Sequence, residues 1–132
     1  NPLSELPGVR SLLKSLQEAG IPAVVGSSTP RRNLEVAIDL LVLEGYFKDL
    51  VSADDVTHGK PDPEVFLKGA EAFGADPERC VVFEDAVSGV QAARNGGFRI
   101  IGVGDANALA EAEFVIPGFE GFTMQTMVDR LS

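Results

Sequence analysis

The feature that most constrains this chain is a set of short apolar runs that do not alternate with polar residues, each flanked by segments of helical period. Cys80–Phe83 is apolar throughout, and Ile21–Gly26 and Arg99–Val103 read as further strands. A strand with one wet face alternates, whereas a continuous apolar run is covered on both faces. Between these runs the period changes. Val9, Leu12, Leu13 and Leu16 recur at helical spacing between Pro7-Gly8 and Gly20. From about Pro30, Leu34, Ala37, Ile38, Leu41 and Val42 do the same. Tyr46-Phe47 and Leu50–Ser52 form a short apolar segment, and Gly59-Lys60-Pro61-Asp62-Pro63 is a rigid turn. The second proline of that turn suits the first turn of a helix carrying Val65, Phe66, Ala70 and Phe73. Ala86–Asn95 is a further helix, closed by Gly96-Gly97. A short helix is expected near Asn107–Ala112, a strand at Phe114–Ile116 and a last helix at Met124–Leu131. Helices and strands thus alternate, which predicts a doubly wound α/β domain with a parallel sheet and right-handed crossovers.

The 132 residues suffice for one domain, and a 45% apolar fraction suffices for a packed core. A net charge of −9 argues against a nucleic-acid or anionic-membrane surface, but not against a small anionic ligand held by a few local donors. The single cysteine, Cys80, leaves no internal disulfide and fits a reducing compartment. No apolar run approaches a membrane span and no signal-peptide pattern opens the sequence. Cytoplasm or an organelle stroma is the expected location. Asn1 is not an ordinary translation start, which fits a cut or processed chain.

Ligands in such folds sit at the carboxyl ends of the strands, and three of those ends carry chemistry. Ser27-Ser28-Thr29 ends one strand where a helix begins, so hydroxyls lie beside backbone N–H groups that favour an anion. Ser28 or Thr29 serves equally as a helix cap with Pro30 at the first helical position. Arg31 and Arg32 add positive charge nearby. Lys60 sits on the stiff Gly59–Pro63 frame, where a fixed ammonium can pair with a phosphoryl oxygen or a carboxylate; a solvated turn lysine is the plainer account. Glu84-Asp85 follow Cys80–Phe83 directly. Two acids at the end of a buried strand repel each other, which a bound Mg²⁺ would relieve, although Asp85 could instead cap the Ala86 helix. Together the three strand ends suit phosphoryl transfer.

The remaining candidates read plainly. His58 and Asp54 are expected to be solvated, and Cys80 is expected in the core. Gly102-Val103-Gly104-Asp105 reads as a strand-end turn, and Phe119, Phe122, Met124 and Met127 as core for the last helix.

The order VVGSST, GKPDP and VVFEDAVSGVQAA resembles the haloacid dehalogenase superfamily, and most closely its β-phosphoglucomutase branch. The resemblance runs from about Pro7 to the end. It implies a Rossmann-like three-layer α/β/α core. It further implies that Ser27 binds phosphate, that Lys60 steadies the phosphoryl group and that Glu84 and Asp85 hold Mg²⁺, Asp85 directly. Ser28, Thr29 and Asn33 lie where related enzymes contact phosphate or substrate. The family's first motif, Asp-x-Asp-Gly, occurs nowhere in the sequence, and neither does the helical cap. Its first aspartate is the family's nucleophile. Residues 1–132 are therefore expected to form a single partial core domain that lacks the first strand. The strands near Ala23 and Cys80 would then either pair with each other or leave backbone groups open. The implied function is the core of a Mg²⁺-dependent phosphatase or phosphomutase acting on small phosphorylated metabolites such as sugar phosphates. Its nucleophile would come from an upstream segment or a second chain. The alternative is a non-catalytic domain that keeps the cradle for binding or assembly.

Overall fold

The computed structural model describes residues 7–27, 30–33, 35 and 44–132. Helix α1 (Val9–Glu18) leads into strand β1 (Val24–Gly26), and β2 (Asp49–Val51) follows a 3₁₀ turn at Glu44–Tyr46. Helix α2 (Glu64–Glu71), β3 (Val81–Glu84), α3 (Val87–Gly96), β4 (Arg99–Val103), β5 (Phe114–Ile116) and α4 (Met124–Leu131) complete the order. Arg31 to Asn33 are helical. The predicted stripe of Leu34, Ala37, Ile38, Leu41 and Val42 lies outside the described residues.

The α/β architecture is as predicted, but the strands divide into two parallel pieces. One is β1–β2, with Val24 opposite Asp49 and Gly26 opposite Val51. The other is β3–β4–β5, with Val82 opposite Ile100 and Gly102 opposite Val115. Among the described residues β1 and β3 do not pair.

Successive residues of β4 point to opposite faces, and each face has its own core. Ile101, fully buried, packs with Leu12 and Leu16 of α1, Ile116, Phe119, Phe122 and Met127. Ile100 faces the other way, among Ala70, Val82, Val90, Ala93, Phe98 and Leu109. Helices α1 and α4 therefore cover one face and α2 and α3 the other, giving three layers. Leu13, next to Leu12, joins a separate cluster with Ala23, Val25, Tyr46, Phe47 and Leu50 around β1–β2. One helix thus packs on both sheet pieces. On the opposite face α2 does the same. A Cβ at Gly69 would lie 3.4 Å from Val24, and Phe66 lies against Gly26 while its ring meets Phe98 at 6.0 Å.

The short helix expected near Asn107–Ala112 is instead a series of turns, closed by Leu109 N–H to Asp105 O and Ala112 N–H to Leu109 O. So short a segment cannot repay helix nucleation. Its position is fixed by Leu109, which is buried to 2% exposure. Strand β4 and helix α4 have the predicted bounds, and Ile21–Gly26 contracts to β1. Gly97 ends α3 in the left-handed region at φ 83°, as a glycine C-cap should. Arg99 pairs with Glu113 at 2.9 and 2.6 Å and donates to Leu131 O at 2.8 Å, tying β4 to the end of α4. Among the described residues no helix is long and apolar enough to cross a membrane.

The turn after β2 is held by acids. Asp55 accepts from the backbone N–H of Ser52 at 2.8 Å, the Ser52 hydroxyl at 3.0 Å and the Arg31 guanidinium at 2.7 Å. These bonds, the Ser52 N–H first, lower its pKa from 3.8 to about 2. A depressed carboxylate pKa stabilises the fold above its unfolded value and loses that contribution as pH falls through the folded one. The urea midpoint is therefore expected to drop as pH falls from about 4 to about 2, and Asp55→Asn should flatten that drop while lowering the midpoint at pH 7. Urea titrations at a series of pH values read both effects.

Candidate active site

The carboxyl ends of β1, β3 and β4 open onto one cleft between the two sheet pieces. It has a volume of about 320 Å³ and is lined by Val25, Gly26, Ser27, Lys60, Phe83, Glu84, Asp85, Val103 and Phe119. Three loaded segments that are far apart in the sequence meet there.

Lys60 is positioned by its turn. The Asp62 N–H donates to Gly59 O at 3.0 Å, and Asp62 Oδ1 accepts from Glu64 N–H at the start of α2. The Glu64 carboxylate reaches back to the N–H groups of His58 and Thr57, which hold its pKa down, His58 the more strongly. The Asn95 side chain donates to Pro61 O at 3.2 Å, fastening the turn to α3. On this frame the Lys60 ammonium lies 2.9 Å from Glu84 Oε2 and 5.0 Å from the centre of the Phe66 ring. Lys60 and Glu84 are both largely buried, their side chains 12% and 9% exposed. The plain solvated lysine is thereby set aside.

Glu84 has both oxygens engaged. Oε2 takes Lys60, and Oε1 accepts from the N–H groups of Asp85 and Ala86, each at 3.1 Å. The N-cap of α3 is Ala86, which has no side-chain cap. Glu84 rather than Asp85 thus satisfies the backbone before this helix. Asp85 is exposed and faces the cleft. Among the described residues no group of three or more His, Cys, Asp or Glu comes together to hold a metal. A Mg²⁺ ion commonly takes only one or two protein carboxylates, with waters and substrate phosphate completing its shell. Asp85, open to the cleft beside Glu84, fits that partial role.

The remaining predicted residues divide clearly. Ser27 lines the cleft, with its N–H on Val51 O at 2.9 Å. Ser28 and Thr29 lie outside the described residues. Asn33 is exposed on the helix and does not line the cleft. The His58 side chain is 70% exposed, with Nδ1 3.7 Å from Glu64. Burial raises the pKa of the Cys80 thiol, which bonds Asp76 O at 3.4 Å, so it is no activated nucleophile. Asp54 is exposed but not idle, since it accepts the Arg31 N–H at 2.8 Å.

Sequence reasoning missed Gly89. A Cβ there would lie 2.0 to 2.2 Å from the Cδ, Oε2 and Cγ atoms of Glu84. The glycine lets the Glu84 side chain lie across the first turn of α3 and reach Lys60. The available signal was a glycine inside a helical pattern, which costs roughly 0.5–1 kcal/mol against alanine and so calls for a packing reason. Gly89→Ala should displace the Glu84 carboxylate from Lys60. Glu84→Ala leaves the buried ammonium unpaired, with an expected loss of about 3–5 kcal/mol. Urea unfolding measures the second effect. For the first, loss of the Lys60–Glu84 contact in a crystal structure of the variant is the expected result.

A family model described as haloacid dehalogenase-like hydrolase matches residues 1–97. A phosphorylated carbohydrates phosphatase of Thermotoga maritima is 44% identical over 115 residues, which is 83% of this chain and 53% of that protein. Hexitol phosphatase B of Escherichia coli K12 is 34% identical over 111 residues, 84% of this chain and 50% of that protein. The crystal structure of a β-phosphoglucomutase from Clostridium difficile superposes with a TM-score of 0.90 at 25% identity, covering 98% of this chain and 57% of its own. The chain spans about half the length of these curated relatives.

Proposed function

The chain belongs to the haloacid dehalogenase-like hydrolase family, and on that premise we propose that it is the core portion of a Mg²⁺-dependent phosphatase or phosphomutase for small phosphorylated metabolites, sugar phosphates in particular. The observation that carries this reading is the convergence of Ser27, Lys60, Glu84 and Asp85 on one cleft at the strand ends. Relatives that share up to 44% identity are phosphatases of phosphorylated carbohydrates and hexitols by name, which supports the substrate class.

In this proposal residues 1–132 form one partial core domain. The nucleophilic aspartate lies outside this sequence, on a strand seated between β1 and β3, which do not pair with each other among the described residues. Its carboxylate oxygen attacks phosphorus, and the bond from phosphorus to the leaving alcohol oxygen breaks. Water or a sugar hydroxyl then takes the phosphoryl group from the aspartate. Ser27 and the residues after it hold phosphoryl oxygens. Lys60, pre-set by its turn and by Glu84, places a fixed positive charge beside the developing negative charge. Such preorganised charge needs little rearrangement as the reaction proceeds. Asp85, with Glu84 behind it, would hold Mg²⁺, which neutralises phosphoryl charge when bound.

The test uses the protein expressed from its complete reading frame, with a panel of sugar phosphates and Mg²⁺. Phosphate release or phosphoryl transfer is expected, and Lys60→Ala should lower kcat/KM by about 10²–10³. Asp85→Ala should keep the fold, read by circular dichroism, while weakening Mg²⁺ binding in calorimetry. Unchanged Mg²⁺ affinity would remove Asp85 from the site. Phosphate binding with no turnover on any substrate would make the protein a binding domain instead.

A further inference from the structure

Both flanks of the 28–30 segment are fastened to the same short stretch of chain. On the entry side the Ser27 N–H donates to Val51 O at 2.9 Å. On the exit side the Arg31 N–H donates to Asp54 Oδ2 at 2.8 Å. The Arg31 guanidinium donates to Leu50 O and, at 2.7 Å, to Asp55 Oδ2. Every one of these acceptors lies between Leu50 and Asp55. That stretch is itself anchored, because Ser52 is fully buried and bonds Asp55 through both its N–H and its hydroxyl.

We propose that residues 50–55 act as a mould for the phosphate-binding strand end, with Arg31 as its latch and Asp54 as the latch's backbone acceptor. The proposal rests on the phosphate-site reading given above. The stability that Asp55 supplies comes first from its bond to the Ser52 N–H, which leaves the Arg31 bonds to be explained. The Arg31 and Asp55 side chains are 37% and 35% exposed, and an ion pair so open to water contributes little to folding. What the bonds do fix is position. They set where the chain leaves the segment relative to where it enters, and a misplacement of about 1 Å in a positioning element can cost orders of magnitude in rate. The geometry also separates two roles for Arg31. Its Nη2 donates to both Leu50 O and Asp55 Oδ2, so this end of the guanidinium positions the turn and does not serve the anion.

Inorganic phosphate is the probe, titrated by calorimetry into the protein from its complete reading frame, with melting temperatures taken in parallel. Asp54→Ala is expected to raise the phosphate Kd about tenfold. Asp54→Asn keeps an oxygen acceptor for the Arg31 N–H and should bring Kd back within about twofold of the parent. Arg31→Lys keeps the charge on a shorter side chain whose ammonium does not reach the Nη2 position that serves Leu50 O and Asp55 together, so it should weaken phosphate severalfold. Asp54 is exposed on a short turn, and its variants are expected to melt close to the parent. Lys60→Ala is the reference. If Lys60→Ala weakens phosphate while Asp54→Ala and Arg31→Lys do not, the mould is wrong and the phosphate site stands. If Lys60→Ala also has no effect, the site reading fails and the mould fails with it. An Asp54→Asn variant as weak as Asp54→Ala overturns the latch too, since the lost bond is then not the cause.

Discussion

Two helices lying across both sheet pieces hold the described residues together. Among the described residues strand pairing does not join β1–β2 to β3–β4–β5. The join is made by α1 on one face and α2 on the other. On α1, neighbouring leucines serve different cores, with Leu12 and Leu16 packed against the three-stranded piece and Leu13 against the two-stranded one. On α2, Phe66 reaches both Gly26 and Phe98. Apolar packing is strong in sum but weakly directional compared with a hydrogen-bonded ladder. The relative placement of the two pieces therefore depends on close fit between side chains.

The chemistry of the cleft follows from this plan. Each sheet piece brings half of it. The β1 side contributes Ser27, and the β3 side contributes Glu84 and Asp85. Lys60 comes from the turn before α2, the helix that touches both pieces. Within this group the Lys60–Glu84 pair is the fixed point. It is largely buried, it takes one oxygen of a glutamate whose other oxygen holds two backbone N–H groups, and it depends on the missing side chain at Gly89. Asp85 is left facing the open cleft because its neighbour has taken over the backbone groups that an aspartate before a helix would ordinarily satisfy.

Much of this could be read from the sequence, for identifiable reasons. The apolar run at Cys80–Phe83 revealed a strand covered on both sides, and the acids after it marked its carboxyl end. Met124–Leu131 carried a helical period with a threonine before it, and its bounds were legible. The Lys60 turn was legible because proline and glycine restrict the backbone without help from distant residues. What could not be read depends on contacts far apart in sequence. Asp54 looked like a solvated acid, and only the fold brings Arg31 to it and to Asp55. Gly89 looked like an ordinary small helix residue until Glu84 lay over it. The turns at 107–112 have helix-like composition, but Leu109 is anchored by the core before a helix can propagate. β2 looked like no more than a short apolar segment because a three-residue strand shows too little of any period.

The bare position at Gly89 ties the start of α3 to the charge balance of the cleft. Glu84 occupies the volume where a side chain would stand, so one carboxylate both neutralises Lys60 and closes the backbone N–H groups of Asp85 and Ala86. A change in either partner is therefore felt at the helix start as well as in the cleft. Helix geometry and site electrostatics here vary together and not one at a time.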